Sequence, residues 1–221
     1  MASVSKSPGI SAEVAVATGE MLLRSDALVA DAPESGLIEL CRQGDPRAFA
    51  RLVALHERMV FNLSARLLGD VEEAKDLSQE VFLQVYRTIQ RFEGRSSLKT
   101  WIYRIVVNQC HNRQRWWRRR KKDQSRPLED LTAHEEEALS TKGASSGPFE
   151  DLARREQARR VQAGLAEISF DQRAILVLRE VEGMSCEEIG TALHLPIGTV
   201  KSRLARGREA LRQVLVGKKE V

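Results

Sequence analysis

Residues 71–89 read VEEAKDLSQEVFLQVYRTI, and their spacing sets a helix with two unlike faces. At ~100° per residue, Val71, Ala74, Leu77, Ser78, Val81, Phe82, Val85 and Ile89 share one arc, the core side. The opposite arc carries Glu72, Asp76, Gln79, Glu80, Leu83 and Arg87. A solvated surface favours a polar residue where Leu83 stands. An acidic rim around an exposed leucine reads as a protein-binding patch; the bland alternative is a wet face with one stray apolar residue. Gly69 stops the preceding helix and Asp70 can cap this one, with Glu73 spaced for a capping box.

Outward from this helix the helical period continues on both sides. Asp45-Pro46 is a cap followed by a first-turn proline, after which Phe49, Leu52, Val53, His56, Val60, Leu63 and Leu67 line one face. Downstream, a helix starting near Ser97 runs through Trp101, Ile105 and Cys110 into the block RQRWWRRRKK, Arg113 to Lys122. Periodicity then fades into Ser, Gly, Pro and charge, and residues 123–148 read as a flexible linker. A second helical region covers 149–216, with breaks at Ser169–Phe170, Glu182–Ser185 and Leu195–Gly198. Residues 1–35, rich in Ala, Ser, Val and Gly, read as a disordered extension. No strand-like alternation of useful length occurs. The expected fold is all-α: two small helical domains, 36–122 and 149–216, joined by the linker.

The second region holds MSCEEIGTALHLPIGTVKSRLARGREALR, residues 184–212, which reads as a helix-turn-helix. Ser185 and Glu188 make a capping box; Leu195-Pro196 closes the first helix and Gly198-Thr199 opens the second. Val200, Leu204, Gly207 and Leu211 form its inward stripe. A recognition helix turns its outer side chains to base edges, so Lys201, Ser202, Ala205 and Arg206 are candidate readers, with Thr199 and Arg203 as phosphate contacts. A generic three-helix bundle with a basic exposed helix is the plainer alternative.

Composition narrows the function classes. The net charge of +4 conceals a basic block followed by Glu129, Asp130, Glu135, Glu136 and Glu137. Such a block fits a polyanion and contacts backbone rather than sequence. The three cysteines (Cys41, Cys110, Cys186) are scattered, as in a reducing compartment. No membrane span or export signal is evident, so a cytoplasmic location without membrane insertion is expected. The histidines (His56, His111, His134, His194) are dispersed, no phosphate-binding glycine loop is present, and no carboxylates cluster for hydrolysis. No enzyme activity, catalytic residue, cofactor or metal site is expected.

Two segments carry a family resemblance. DLSQEVFLQVYRTIQRF (76–92) followed by SSLKTWIYRIVVNQCHNRQR (96–115) resembles domain 2 of the extracytoplasmic-function (ECF) sigma factors of the sigma-70 superfamily. SFDQRAILVLREVEGMSCEEIG (169–190) together with the helix-turn-helix resembles sigma domain 4. The resemblance spans about Leu37 to Leu215 and departs from the family in the extension and in Trp116-Trp117. It implies that Asp76, Gln79, Glu80 and Leu83 contact the clamp helices of the core RNA polymerase β′ subunit, and that domain 4 grips the β flap. It further implies that the loop from Phe92 captures a flipped base of the −10 promoter element and that Asn108 helps to read it. The residues present suit such a role. Phe92, Gly94, Arg95, Ser96, Ser97, Lys99, Thr100, Trp101, Tyr103 and Arg104 supply stacking surface and cations, and Arg113 and Arg115 extend the cation track. Trp101 shares a face with Leu98, Ile102 and Ile105 and is expected partly in the core. The −35 element falls to Thr199–Arg206. An anti-sigma factor is an implied partner. A linker of ~25 residues reaches ~80 Å, enough for elements ~17 bp, roughly 55–60 Å, apart. The competing reading is a stand-alone helix-turn-helix regulator, which would bind duplex DNA tightly without polymerase; a protein that sequesters polymerase or RNA without choosing promoters is a further one.

Overall fold

A computed structural model describes residues 33–121 and 148–217, so the extension and the linker fall almost wholly outside the described residues. Among the described residues eight helices follow in order: α1 (Glu34–Arg42), α2 (Pro46–Leu68), α3 (Val71–Thr88), α4 (Leu98–Lys121), α5 (Pro148–Glu167), α6 (Phe170–Leu176), α7 (Cys186–Leu193) and α8 (Ile197–Gly217). A 3-10 turn (Ile89–Arg91) extends α3, and a π turn (Val177–Val181) extends α6. No strand occurs among the described residues, in accord with the all-α expectation.

The chain divides into two compact units, Met1–Leu55 and His56–Val221. In the first, Leu37, Cys41, Ala48 and Leu52 are buried. Asp45 caps α2: its Oδ1 accepts from the Arg47 and Ala48 amides at 2.8 and 3.3 Å, and Pro46, lacking an N–H, follows as the first helical residue. The second unit gathers helices from both domains expected from the sequence, because α4 packs against α7 as well as α3.

In the second unit α3 turns its faces as the wheel requires. Val71, Ala74, Leu77, Val81, Phe82 and Val85 are buried, while Glu72, Asp76, Gln79, Glu80, Leu83 and Arg87 are exposed. Gly69, at φ +73°, ends α2. Asp70 accepts the Glu73 amide at 3.0 Å, but the expected capping box is half formed: the Glu73 carboxylate takes Arg113 instead. Leu98, Ile102, Val106 and Cys110 make the buried stripe of α4. The Ser185–Glu188 box is complete, with bonds of 3.0 and 2.7 Å. His194 then adopts φ +53°, and the Leu195 amide donates to the Gly190 carbonyl at 2.9 Å. A Cβ on Gly190 would lie 2.9 Å from the Leu195 carbonyl oxygen, so this turn excludes any larger residue in its present form. Gly207 likewise lets α8 approach Leu176 and Gln172.

All three cysteines are free. Burial pushes the Cys110 thiol up to about 12, against opposing pulls from Ser64 and Arg113; burial, then Asp45, lifts Cys41 to about 11. Only the thiolate reacts, and at pH 8 a thiol of pKa near 12 is ionised roughly once in ten thousand molecules. Iodoacetamide at pH 8 is therefore expected to alkylate half-buried Cys186 first and to spare Cys41 and Cys110 until the chain unfolds. Early labelling of Cys110 in a peptide map would contradict this packing.

Candidate nucleic-acid and protein interfaces

The acidic face of α3 is fixed from beneath by α4. Arg113 reaches back to donate to Glu73 at 2.6 Å and to Glu80 at 2.7 Å. Burial alone would lower the Arg113 pKa; the two carboxylates outweigh it and raise it. The Glu80 side chain is thus held in place beside Leu83, whose side chain stands out at 55 % exposure. Tyr86, one turn on, is 51 % exposed and enlarges the apolar centre of the patch. It was legible in the sequence as the i+3 neighbour of Leu83, but it lies off the arc on which the wheel reading concentrated. Arg113, expected on DNA, is engaged with α3 in this conformation.

The segment between α3 and α4 forms one wall of a cleft of about 330 Å³. Gly94, at φ +71°, lets the chain reverse, a conformation that costs a side-chain-bearing residue. Ser97 caps α4, its Oγ accepting the Thr100 amide at 3.1 Å. Phe92, Arg95, Thr100, Trp101 and Arg104 line the cleft, and the Phe92 and Trp101 rings meet at 5.3 Å, tilted by 51°. Gly94, Ser97, Lys99, Asn108 and Arg115 are exposed. Three residues expected to face DNA are buried instead: Phe92 at 6 %, Thr100 at 6 % and Tyr103 at 1 % exposure. Phe92 lies outside the helices and packs on the Trp101 ring; for the other two the reason is helical phase. Thr100 and Tyr103 lie three apart beside the Leu98, Trp101, Ile102, Ile105 stripe, so the first turns of α4 are covered on nearly every side. Trp101, at 8 % exposure, is a core residue with an edge on the cleft.

The opposite wall comes from the helix-turn-helix: Thr191, Ala192 and His194. His194 Nε2 lies 2.9 Å from Arg104 Nη1. The Tyr103 hydroxyl donates to Glu182 Oε2 at 2.6 Å; desolvation, then this bond, raises its pKa well beyond the usual phenol range. A second cleft, about 130 Å³, joins Asn108 and His111 to Phe170, Leu193 and Arg203. These meetings are between residues some 60 to 90 positions apart, and no sequence pattern announced them.

On α8, Val200, Leu204 and Gly207 are buried, whereas Lys201, Ser202, Ala205 and Arg206 are exposed together on one face. Arg206 lies along that face, its Nε donating to the Ser202 carbonyl at 3.3 Å. Arg203, expected as a phosphate contact, is half-buried and pairs with Asp171 at 3.0 Å. Thr199 sits in the first turn, its carbonyl accepting from the Ser202 hydroxyl at 3.0 Å. Among the described residues, no group of three His, Cys, Asp or Glu is placed to hold a metal ion, and no helix is long and apolar enough to cross a membrane.

Comparison with known proteins places this arrangement. The family model of sigma-70 region 2 matches residues 52–123, and that of sigma-70 region 4 matches residues 158–211. The chain is 36 % identical over 182 residues to the RNA polymerase sigma-H factor of Pseudomonas aeruginosa, covering 81 % of this chain and 92 % of that one. It is 33 % identical to the ECF RNA polymerase sigma factor SigW of Bacillus subtilis, over 80 % of this chain and 94 % of the relative. Among solved structures, the fold is similar to that of the sigma factor RpoE of Bartonella quintana, crystallised with the anti-sigma factor NepR. There the TM-score is 0.58 at 23 % identity, over 76 % of this chain and 96 % of that chain. It is similar also to CnrH in complex with the cytosolic domain of CnrY, again at TM-score 0.58 and 23 % identity, over 82 % and 96 % of the two chains. Two sigma-70 regions in the family's order, with relatives matched over nine-tenths of their length, set aside the stand-alone regulator: the chain belongs to the ECF sigma factors of the sigma-70 superfamily and is an RNA polymerase sigma factor.

Proposed function

We propose that residues 36–122 act as sigma domain 2 and residues 149–216 as sigma domain 4, with 123–148 as the tether between them. Asp76, Gln79, Glu80 and Leu83, extended by Tyr86, dock on the clamp helices of the polymerase β′ subunit, and domain 4 engages the β flap. The cleft from Phe92 to Arg104, with Asn108, receives the non-template strand of the −10 element. Gly94, Ser97 and Lys99 form its rim, and Arg113 and Arg115 the cation track beyond. Lys201, Ser202, Ala205 and Arg206 read the −35 element in the major groove, with Thr199 and Arg203 beside the phosphates. The factor works in the cytoplasm, needs no cofactor and catalyses no reaction: the chemistry belongs to the polymerase it directs. Its further partner is an anti-sigma factor, the kind of protein with which RpoE of Bartonella quintana was crystallised.

The observation that carries this reading is the pairing, in one chain, of an exposed acidic helix face centred on Leu83 with a helix-turn-helix whose outer face is basic. A protein that only bound DNA would have no use for the first. The test is transcription in vitro with core polymerase on a pool of promoters, with the transcript starts sequenced. Specific starts that depend on this chain are expected; polymerase binding without any promoter choice would overturn the reading. Within that assay Arg206→Ala is expected to relax selectivity at one −35 position by about 1–3 kcal/mol, the size of a bidentate base contact. A uniform loss over all sequences would make Arg206 a phosphate contact.

A further inference from the structure

Beyond Arg113, which Glu73 ties to the first turn of α3, the end of α4 carries an aromatic and cationic surface. Arg115, Trp116, Arg119 and Arg120 are exposed there, whereas Trp117 is half-buried. Trp116 stands at 45 % exposure, and the Arg120 guanidinium lies 4.4 Å from the centre of its ring. The indole is thus stacked on a planar cation and still open to a second planar partner.

Helix stability alone does not account for this cluster. Cations favour the C-terminal end of a helix dipole, but Arg115 and Arg119, one turn apart, repel each other, and the two effects are of similar size. No ion pair among the described residues engages Arg115, Arg119 or Arg120. An indole left in water also forgoes the burial that a core position would give it. A polyanion with unpaired bases would answer both features at once.

The placement of the cluster on α4 points to the strand it suits. At ~100° per residue, Asn108, Asn112, Arg115 and Arg119 fall within an arc of about 60°, and all four are exposed. Trp116 borders that row, about 40° beyond Asn112. Along the helix axis it lies ~12 Å from Asn108, the length of roughly three to four stacked nucleotides. A strand that passes Asn108 therefore meets the guanidinium groups first and then the indole. Stacking needs an open base face, which a duplex does not offer, so the chemistry selects an unpaired strand.

We propose that Trp116 and Arg120 form a stacking site for one unpaired base of single-stranded DNA, with Arg115 and Arg119 on the flanking phosphates, and that this site holds the non-template promoter strand beyond Asn108. The identity of the strand rests on the assignment of Asn108 to the −10 element; the chemistry of the site does not.

The test uses the full chain at low ionic strength with a labelled oligo-dT of about twelve nucleotides. Binding is expected to quench tryptophan emission in the wild type and in Trp117→Phe, and far less in Trp116→Phe. Trp116→Ala should bind about tenfold more weakly with the salt slope unchanged, and Trp116→Phe should recover most of the affinity. Arg120→Gln should lower that slope by about 0.7, the share of one phosphate contact on a single strand. On a dA·dT duplex, wild type and Trp116→Ala should bind alike. A full quench in Trp116→Phe would overturn the site, as would wild-type affinity for oligo-dT in Trp116→Ala; the pair would then only brace the helix end. In the holoenzyme, on a promoter recovered by transcription in vitro, Trp116→Ala should shorten the open-complex lifetime about tenfold and leave closed-complex binding unchanged. Equal lifetimes would take the promoter strand out of the site. Failure of the sigma reading looks different: no promoter is recovered, while oligo-dT still reports the stacking.

Discussion

Leu83→Asp is expected to weaken binding to core RNA polymerase by about 30-fold or more, the loss that attends removal of a central apolar anchor of about 2 kcal/mol or above. The substitution acts twice. It removes a side chain that is 55 % exposed, on the face of α3 opposite its buried stripe, and it adds a further carboxylate to a rim already holding Asp76 and Glu80. The α3 helix should persist, because its packing rests on Leu77, Val81 and Val85 on the other side, each fully buried. Circular dichroism should therefore be unchanged while affinity, measured by interferometry on immobilised polymerase, collapses. An unaltered affinity would remove the α3 face from the interface. Tyr86→Ala should follow in the same direction with a smaller loss.

Arg173→Met should cost about 2–4 kcal/mol of stability, the range seen when buried polar groups lose a charged partner. Arg173 is only 4 % exposed, and it has no carboxylate partner among its hydrogen bonds: its guanidinium donates to the carbonyls of Leu67, Ala166 and Ile168 at 2.5, 2.9 and 3.3 Å. Two of these lie in the C-terminal turns of α2 and α5, so two helix dipoles stand in for a counter-ion. The compensation is incomplete. Burial, and then the charge of Arg118, lowers the Arg173 pKa from its usual range. Methionine fills a similar volume but strands the carbonyls of buried Leu67 and Ile168, and Arg173→Lys, with a single ammonium, should fall between. Urea melts read the effect; a midpoint equal to wild type would mean that water reaches these carbonyls in the native state.

Where the sequence spoke locally, it was sufficient. The apolar period of residues 71–89 put six side chains of α3 in the core and left Leu83 outside, because a helical wheel depends only on phase. The boundaries at Gly69, Ser97 and Ser185 were legible for a similar reason: caps and left-handed residues satisfy backbone groups within a few positions of themselves. The same holds for the outer face of α8. The family assignment followed from two such local patterns standing in order.

What failed to come from the sequence was anything set by distant partners. Tyr103 looked like a stacking surface because aromatic rings suit bases; its burial depends in part on Glu182, 79 residues away. Arg113 looked like a phosphate contact, yet Glu73 and Glu80, one helix earlier, hold it. Glu73 in turn left its capping box half made, a local rule overridden by a stronger charged partner. The sequence by itself determined that this chain is helical, that α3 carries an acidic face around Leu83, and that α8 turns Lys201, Ser202, Ala205 and Arg206 outward. Only the tertiary structure decided that Gln162 and Arg173 cap the end of α2 and that the helix-turn-helix walls the cleft at Phe92–Arg104, since helix-end carbonyls and a buried guanidinium find each other through space and leave no period in the chain.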